Sequence, residues 1–98
     1  MPLSTRQRQY LKGLGHSLKP VIHIGKEGMT EQVIASASKA LEDHELIKVA
    51  LLETAGLEKK EAAAQIAQAL HADLVQLLGF KILLYRARKE KPTIKLPT

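Results

Sequence analysis

Cysteine is absent from this 98-residue chain, so the sequence offers neither a disulfide framework nor a thiolate metal site. Tryptophan is also absent and aromatic residues make up only 3% of the chain, so base stacking cannot dominate recognition of a ligand. The four histidines lack the i, i+4 spacing with which a helix binds zinc. We therefore predict neither a metal site nor a cofactor.

Long hydrophobic runs are missing as well. No apolar stretch reaches the length of about 18 residues that a membrane-spanning helix needs. Arg6, Arg8 and Lys12 interrupt the region in which a secretory signal would carry its apolar segment. We expect a cytoplasmic protein without a membrane partner, folded as one domain with a modest core, and a monomer.

Acidic residues are missing from residues 1–26, which carry five basic residues and a net charge of +5. Residues 27–78 carry nine acids and four bases, a net charge of −5, and residues 79–98 carry six bases and one acid, again +5. If the two basic ends meet in the fold, they form one positive face that attracts a polyanion. A soluble basic protein with unrelated charged ends is the alternative.

The first half of the chain contains signals for helix, strand and helix. Ser4 and Gln7 have the spacing of a capping box at a helix N-terminus, and Gly15 is a candidate C′ residue for the same helix. Residues 21–24 then predict a buried strand. Thr30 is a candidate N-cap for a second helix, which carries an apolar stripe.

The second half predicts strand, helix, strand and strand. Residues 45–53 are rich in branched aliphatics and predict a central strand, and the alanine-rich stretch 57–73 predicts a helix anchored by Ile66 and Leu70. Two later apolar runs meet at Gly79 and Phe80, where a glycine at the first turn position favours a type II′ hairpin. The tail, residues 89–98, predicts a weak edge strand or disorder.

The predicted architecture is therefore a single α/β domain, residues 1–98, with its core in about residues 3–88. The order helix, strand, helix, strand, helix, strand, strand predicts a four-stranded mixed sheet with helices packed on it. The two strand–helix units favour a parallel strand pair with a right-handed crossover, and the final hairpin adds antiparallel pairing.

The stretch "VIHIGKEGMTEQV" places two glycines, Gly25 and Gly28, around Lys26 and Glu27 where a strand passes into a helix. The spacing matches neither a nucleotide-binding P-loop nor a Rossmann turn. The glycines can serve a tight turn alone, or they can admit an RNA phosphate to the backbone, as the GXXG loop of KH modules does. In the second interpretation Lys26 holds the phosphate, and Glu27 points away or contacts a ribose hydroxyl.

The other candidate RNA contacts are Thr30 beside the loop and seven basic residues: Arg8, Lys12, Lys19, Lys48, Lys81, Arg86 and Arg88. Arg8 and Lys12 share a helix face and can follow one RNA backbone together, whereas Lys48, Arg86 and Arg88 each have a structural alternative. Lys48 can lay its aliphatic stem over the sheet and extend its ammonium group to water. Arg86 and Arg88 can guard a sheet edge against pairing instead of binding phosphate.

Catalytic patterns are missing. No pair of acids is spaced recognisably for general acid–base chemistry, and no serine, histidine and aspartate set occurs in a nucleophile motif. His23 precedes the loop, but a strand histidine in this position is expected to be packed and hydrogen-bonded. We predict no enzyme activity and no small-molecule substrate.

Three stretches, "LKGLGHSLKPVIHIGKEGMTEQV", "HELIKV" and "GFKILLYR", resemble the signatures of the CRM domain, named for chloroplast RNA splicing and ribosome maturation. The resemblance runs from about Leu3 to Arg88 and extends to the length of the single-domain, YhbY-like bacterial members. It implies a fold similar to the C-terminal domain of translation initiation factor three. It also implies RNA binding and association with precursors of the large ribosomal subunit.

By this resemblance, Gly25 to Gly28 are the family's GxxG loop, and Lys48 and Arg86 occupy basic positions of the other two motifs. The chain departs from the family pattern at "LHADL" and at Phe80, where a polar residue is usual. Phe80 can stack on a base or, as we expect, plug the edge of the core. The prediction is a non-catalytic protein that binds ribosomal RNA, and the alternative is an adaptor whose basic face meets an acidic protein.

Overall fold

The helices and strands follow the predicted order. The computed structural model describes residues 3–52 and 58–97, so Glu53, the last residue of the predicted second strand, lies outside the described residues. The elements are α1 (Thr5–Gly15), β1 (Ile22–Ile24), α2 (Glu31–His44), β2 (Leu46–Leu51), α3 (Lys59–Ala69), β3 (Asp73–Leu78) and β4 (Lys81–Tyr85). Each helix in the described part of the chain is too short or too polar to span a bilayer.

The four strands form one mixed sheet in the order β1-β2-β4-β3. β1 and β2 are parallel, and β4 runs antiparallel to both β2 and β3. The predicted central position of β2 is confirmed. β1 is not the buried strand that the sequence predicted, because it lies at the sheet edge and only Ile24 among its three residues is buried.

Each face of the sheet has its own apolar cluster, because alternate side chains of a strand point to opposite faces. Helices α2 and α3 cover one face, which includes Ile47, Val49 and Ile82. Helix α1 and the tail cover the other face, which includes Leu46 and Leu83. We call these the α2–α3 face and the α1 face.

Helix α1 begins at the predicted capping box, in which Ser4 Oγ accepts the Gln7 amide at 3.1 Å and Gln7 Oε1 accepts the Ser4 amide at 3.0 Å. The predicted C′ role of Gly15 is wrong, because this residue is the last helical one and has no positive φ. A Cβ at Gly15 would lie 2.6 Å from Leu83 Cδ2. Glycine here lets α1 approach β4 closely.

Helix α2 begins at the predicted cap, and α3 is shorter than the predicted helix 57–73, because it ends at Ala69 and Asp73 already belongs to β3; Leu57 lies outside the described residues. Thr30 caps α2, its Oγ1 accepting the Val33 amide at 3.1 Å. Ile66 and Leu70 anchor α3 in the core, and the buried alanines Ala62, Ala63 and Ala67 bring the helix close to the sheet. The sequence therefore predicted the cap of α2 and the anchors of α3 correctly, but not the C-terminal end of α3.

The hairpin between β3 and β4 turns at Gly79, whose φ is +59°. Phe80 has no positive φ, which fits the predicted type II′ turn and excludes type I′. The Phe80 carbonyl accepts the Leu51 amide at 2.7 Å, so the turn is fixed to the carboxyl end of β2. Phe80 is 38% exposed, so the expectation that it plugs the core edge is wrong.

Residues 86–97 form neither a helix nor a strand, and the buried side chain of Glu45 holds them against the fold. Its carboxylate accepts the Arg88 amide at 3.0 Å, the Thr93 amide and hydroxyl at 2.6 Å each, and the Ile94 amide at 3.0 Å. Burial by itself raises the pKa of Glu45, but the hydrogen bonds from Thr93, Arg88 and Ile94 outweigh it and lower the pKa to about 2.

Candidate nucleic-acid interface

The glycine loop, residues Gly25–Gly28, follows the edge strand β1. The Gly28 amide donates to the Gly25 carbonyl at 2.9 Å and closes a turn whose central residues, Lys26 and Glu27, are exposed. Gly28 has a φ of +73°, a conformation that other residues rarely adopt. Gly25 has no positive φ, and a Cβ there would meet Leu52 at an ordinary 3.5 Å. The turn therefore requires glycine at Gly28 but not at Gly25.

Glu27 and the start of α2 lie on one side of the loop. Glu27 lines a groove of about 350 Å³ together with Thr30, Gln32 and Val33, so its carboxylate is on the side of α2. The first backbone amides of α2 point to the same end of the sheet as the loop, where a helix N-terminus favours an anion. This arrangement leaves Lys26 as the exposed cation of the turn.

We expect the two glycines to respond differently to substitution. Gly28→Ala should lower the free energy of unfolding by about 1 to 2 kcal/mol, because alanine is strained at positive φ. Gly28→Asn should cost less, since asparagine tolerates this conformation better, and Gly25→Ala should be close to neutral. Thermal and urea denaturation of the three variants would measure this. Equal losses for Gly25→Ala and Gly28→Ala would contradict the loop geometry.

Arg8 is tied to the outer strand of the sheet. Its Nη1 donates to the carbonyls of Leu74 and Val75, the latter at 3.1 Å, where the pairing of β3 with β4 is shifted by a bulge. Carbonyls at a bulge lack partners in the ladder, so the guanidinium satisfies them and covers the edge. Arg8 is thus engaged within the fold.

Arg86 and Arg88 bind helix carbonyls on the α2–α3 face, in the middle of α2 at Ser38 and at the C-terminal ends of α2 and α3. Arg86 donates to the Leu70 carbonyl at 2.8 Å and to the Ser38 carbonyl at 2.9 Å, and so joins α3 to α2. Arg88 donates to the carbonyls of Glu42, at 2.6 Å, and Asp43 at the end of α2. Neither arginine guards a sheet edge, because β4, from which they extend, lies between β2 and β3.

The five predicted lysines differ from the arginines in their contacts within the fold. Within the described residues, none of the five forms a hydrogen bond or ion pair: Lys12, Lys19, Lys26, Lys48 and Lys81. Lys48 and Lys81 are on the α1 face and are diagonal neighbours on β2 and β4, at a spacing of about 7 Å. Lys48 is half-buried, as its snorkelling alternative requires, and lines a groove of about 510 Å³ with Lys19.

Lys12 belongs to the same side of the molecule. It lies one turn after Arg8 on α1, hence on the flank of the helix that faces β3. We call the four residues Lys12, Lys19, Lys48 and Lys81 the lysine face. Exposed acids concentrate on the opposite side, on helices α2 and α3: Glu31, Glu42, Asp43, Glu58 and Glu61.

The glycine loop adjoins the lysine face at one end of the sheet. In the register of the strands, His23, Ala50 and Lys81 form one row across β1, β2 and β4, and Gly25 follows His23 by two residues. Leu52, which lies next to Gly25, follows Lys48 and Ala50 at alternate positions of the chain and therefore lies on the same face of the sheet. Lys26 can therefore act together with Lys48 and Lys81 on one ligand.

The single surface predicted from the charge pattern is only partly present. The two ends of the chain do meet, because Gln7 Nε2 donates to the Pro97 carbonyl at 3.1 Å and Ile94 and Leu96 pack beside Leu11 on the α1 face. The expectation that Lys26 lies with Arg8 and Arg86 is wrong. Arg86 follows the far end of β4, about 17 Å along the sheet from the loop, and Arg8 binds the far edge strand.

Two further side chains, His23 and Lys59, lie near the glycine loop and the hairpin tip. His23 is exposed on β1 and is not packed as expected. Lys59, which the sequence did not single out, lies over the Phe80 ring with its Nζ 5.0 Å from the ring centroid. Within the described residues, no cluster of histidine and acidic side chains is arranged to hold a metal ion.

Comparison with protein families gives one match over most of the chain. The model of the CRS1 / YhbY (CRM) domain matches residues 3–86. These residues include the glycine loop, the lysine face and all four strands.

Individual relatives match over nearly their whole length. The chain is 35% identical over 95 residues to the "Probable RNA-binding protein YqeI" of Bacillus subtilis, covering 97% of this chain and 99% of that one. It is 42% identical over 95 residues to an "RNA-binding protein" of Haemophilus influenzae, covering 97% and 95%. The solution structure of the protein SAV1595 from Staphylococcus aureus superposes with a TM-score of 0.81 at 38% identity, covering 97% and 99%.

Proposed function

This chain belongs to the CRS1 / YhbY (CRM) domain family, and on that premise we propose that it is a non-catalytic RNA-binding protein of large ribosomal subunit assembly. Its ligand in this proposal is ribosomal RNA or its precursor. The relatives named as RNA-binding proteins support RNA as the partner. The glycine loop holds the RNA backbone, and the lysine face extends the contact along it.

One observation carries the proposal. Lys26 and Lys81 lie at the end of the sheet at which the glycine loop opens, and Lys48 is the diagonal neighbour of Lys81 further along the α1 face; none of the three has an intramolecular partner among the described residues. Unpaired ammonium groups on one surface repel each other in the free protein. A bound polyanion relieves this repulsion, so the same charges favour binding. The arginines, whose hydrogen bonds are already satisfied, are not needed for this contact.

Gly25 supports the same proposal. The turn does not require glycine at this position, and the neighbouring Leu52 leaves ordinary van der Waals space for a Cβ. A phosphate that approaches the Gly25 backbone would meet that Cβ, which gives glycine a role in binding that it lacks in folding. Gly25→Ala is therefore a variant that can weaken RNA binding without unfolding the protein.

The salt dependence of RNA binding tests the lysine contacts. Alanine at Lys26, Lys48 or Lys81 should reduce the slope of log K against log [salt] by about 0.7 to 0.9 for each lost phosphate contact. The melting temperature should stay unchanged for the exposed Lys26 and Lys81, whereas Lys48→Ala also removes the aliphatic stem that packs on the sheet. Titrations with a large-subunit ribosomal RNA fragment would measure the slope. Lys39→Ala is the matched control, since Lys39 lies on α2 and pairs with Asp43 at 3.6 Å. A wild-type slope in all three variants would overturn the proposal.

The assembly role has a separate test. In a sucrose gradient of a cell lysate, the protein should sediment with precursors of the large subunit and lose this position after nuclease treatment. Crosslinking followed by RNA sequencing should then recover large-subunit ribosomal RNA. Co-purification with a protein that survives nuclease, without retained RNA, would instead support the adaptor with an acidic protein partner.

A further inference from the structure

The hairpin tip exposes an aromatic ring at the same end of the sheet as the glycine loop. Phe80 is 38% exposed, and its neighbours Leu78 and Leu52 are 67% and 44% exposed. Phe80 is the only phenylalanine in the chain, and it belongs to neither apolar cluster. The three side chains together form an exposed apolar patch beside basic residues, and a patch of this kind is typical of a binding surface.

The ring is fixed relative to the glycine loop by two backbone hydrogen bonds. The Leu51 amide donates to the Phe80 carbonyl at 2.7 Å, and the Leu52 amide donates to the Ile24 carbonyl, next to Gly25, at 2.9 Å. Two strand spacings therefore separate the backbones of Phe80 and Gly25, a distance of about 10 Å. The loop that KH modules use spans a run of about four nucleotides, so one strand of RNA can reach both points.

Three lysines lie near the ring, although Glu58 and Glu61 flank Lys59 in the first turn of α3. Lys59 Nζ lies over one face of the ring, 5.0 Å from the centroid, in a cation–π contact, so a stacked base takes the opposite face or displaces this flexible side chain. Lys81 follows it in the chain, and Lys26 lies across the sheet end on the glycine loop. A flat apolar surface with ammonium groups around it matches one ligand fragment in particular, an unpaired nucleobase flanked by phosphates.

We propose that Phe80 is a stacking platform for an unpaired base of the RNA strand held by the glycine loop. The inference rests on the proposed function and deepens it, because it defines the class of RNA element that this end of the molecule takes. The element contains a single-stranded, bulged or looped nucleotide close to the clamped phosphate. A fully paired duplex, whose bases are already stacked, gains nothing from the ring.

The test compares the binding of two RNA probes by the wild-type protein and by three variants. The probes are a single-stranded RNA oligonucleotide with 2-aminopurine placed at successive positions and the same sequence annealed into a duplex. Phe80→Leu keeps an apolar side chain but removes the flat ring, and Phe80→Trp restores a ring. Leu78→Ala is the matched control, because it removes exposed apolar surface from the same hairpin without touching the ring.

Binding of the single strand should quench 2-aminopurine at one position in the wild-type protein and in Phe80→Trp. Phe80→Leu should abolish this quenching and weaken binding of the single strand about 5- to 100-fold, while Leu78→Ala and all duplex affinities stay at wild-type values. Equal single-strand affinities for Phe80→Leu and wild type would refute stacking. An equal loss for both probes would refute it too, since a duplex offers no unpaired base.

The two proposals fail in different ways. If the lysine variants lower the salt slope but Phe80→Leu binds the single strand like wild type, RNA binding stands and only the stacking inference falls. If the lysine variants leave the slope unchanged, the proposed function itself falls, whatever Phe80 does. Melting temperatures of all variants show whether a loss of binding reflects a loss of folded protein.

Discussion

Glu45→Gln should lower the free energy of unfolding by about 3 kcal/mol at pH 7, which corresponds to a fall of about 10 to 20 °C in melting temperature. The carboxylate is fully buried, and its two oxygens accept four hydrogen bonds from Arg88, Thr93 and Ile94. A glutamine side chain has the same shape, but only its carbonyl oxygen can accept hydrogen bonds. Its NH₂ group would face the donor amide of Arg88 or those of Thr93 and Ile94.

The same carboxylate predicts how stability depends on pH. The pKa of Glu45 is lowered from 4.5 to about 2, so its contribution is fully present above pH 4.5 and is lost as pH falls through the pKa of the folded state. The free energy that separates wild type from Glu45→Gln should therefore be constant from pH 7 to about pH 5 and shrink toward pH 2. Urea denaturation at a series of pH values would measure this difference.

Glu90→Gln is the control, because it removes the same charge from the exposed part of the tail. It should change the stability by no more than about 0.5 kcal/mol at any of these pH values. Hydrogen exchange adds a local readout, since Glu45→Gln should speed exchange of the Thr93 and Ile94 amides. A Glu45→Gln protein as stable as wild type at pH 7 would show that the carboxylate does not hold the tail.

Features set by residues close in sequence could be predicted from the sequence. The capping box of Ser4 and Gln7, the cap at Thr30 and the positive φ at Gly79 all depend on a few neighbouring residues, and each is confirmed. The order of elements and the mixed sheet follow from apolar periodicity and chain connection rules. The resemblance to the CRM family predicted the fold as well, and the family match over residues 3–86 confirms that resemblance.

Features set by residues distant in sequence could not be predicted. Gly15 looks like a helix end in the sequence, and only the Leu83 side chain, 68 positions later, shows that it permits close packing. Glu45 accepts bonds from residues 43 to 49 positions away, and no local pattern indicates them. For the candidate site, the sequence predicted which basic residues are candidates, but charge alone cannot tell a lysine that faces water from an arginine bound to distant carbonyls.

Arg86→Ala gives the second large effect, a loss of about 3 kcal/mol in the free energy of unfolding. The guanidinium is only 23% exposed and donates to the Leu70 carbonyl at 2.8 Å and to the Ser38 carbonyl and hydroxyl at 2.9 and 3.2 Å. Removing it leaves these oxygens with fewer donors where α2 meets α3, and hydrogen bonds from a charged donor contribute about 1.5 to 3 kcal/mol each. Urea denaturation at pH 7 would measure the loss.

Arg86→Lys separates geometry from charge. Lysine keeps the positive charge but cannot place two donors on Leu70 and Ser38 at once, so it should recover less than half of the lost stability. Glu42→Gln is the control for the ion pair, which is 3.6 Å long and involves a carboxylate that is 61% exposed. Its cost should stay below about 1 kcal/mol. If Arg86→Lys were as stable as wild type, the positive charge alone would join the helices, and the two hydrogen bonds to Leu70 and Ser38 would not be needed.

Stability and RNA binding should then vary independently across the basic residues. At a temperature where Arg86→Ala is still folded, its salt slope for RNA should equal that of wild type, because its guanidinium is bound within the fold and lies at the far end of the sheet from the glycine loop. Lys26→Ala should show the opposite result, a lower slope with an unchanged melting temperature. A slope lowered by about 0.7 to 0.9 in Arg86→Ala would instead place a phosphate at Arg86 and extend the interface over the α2–α3 face.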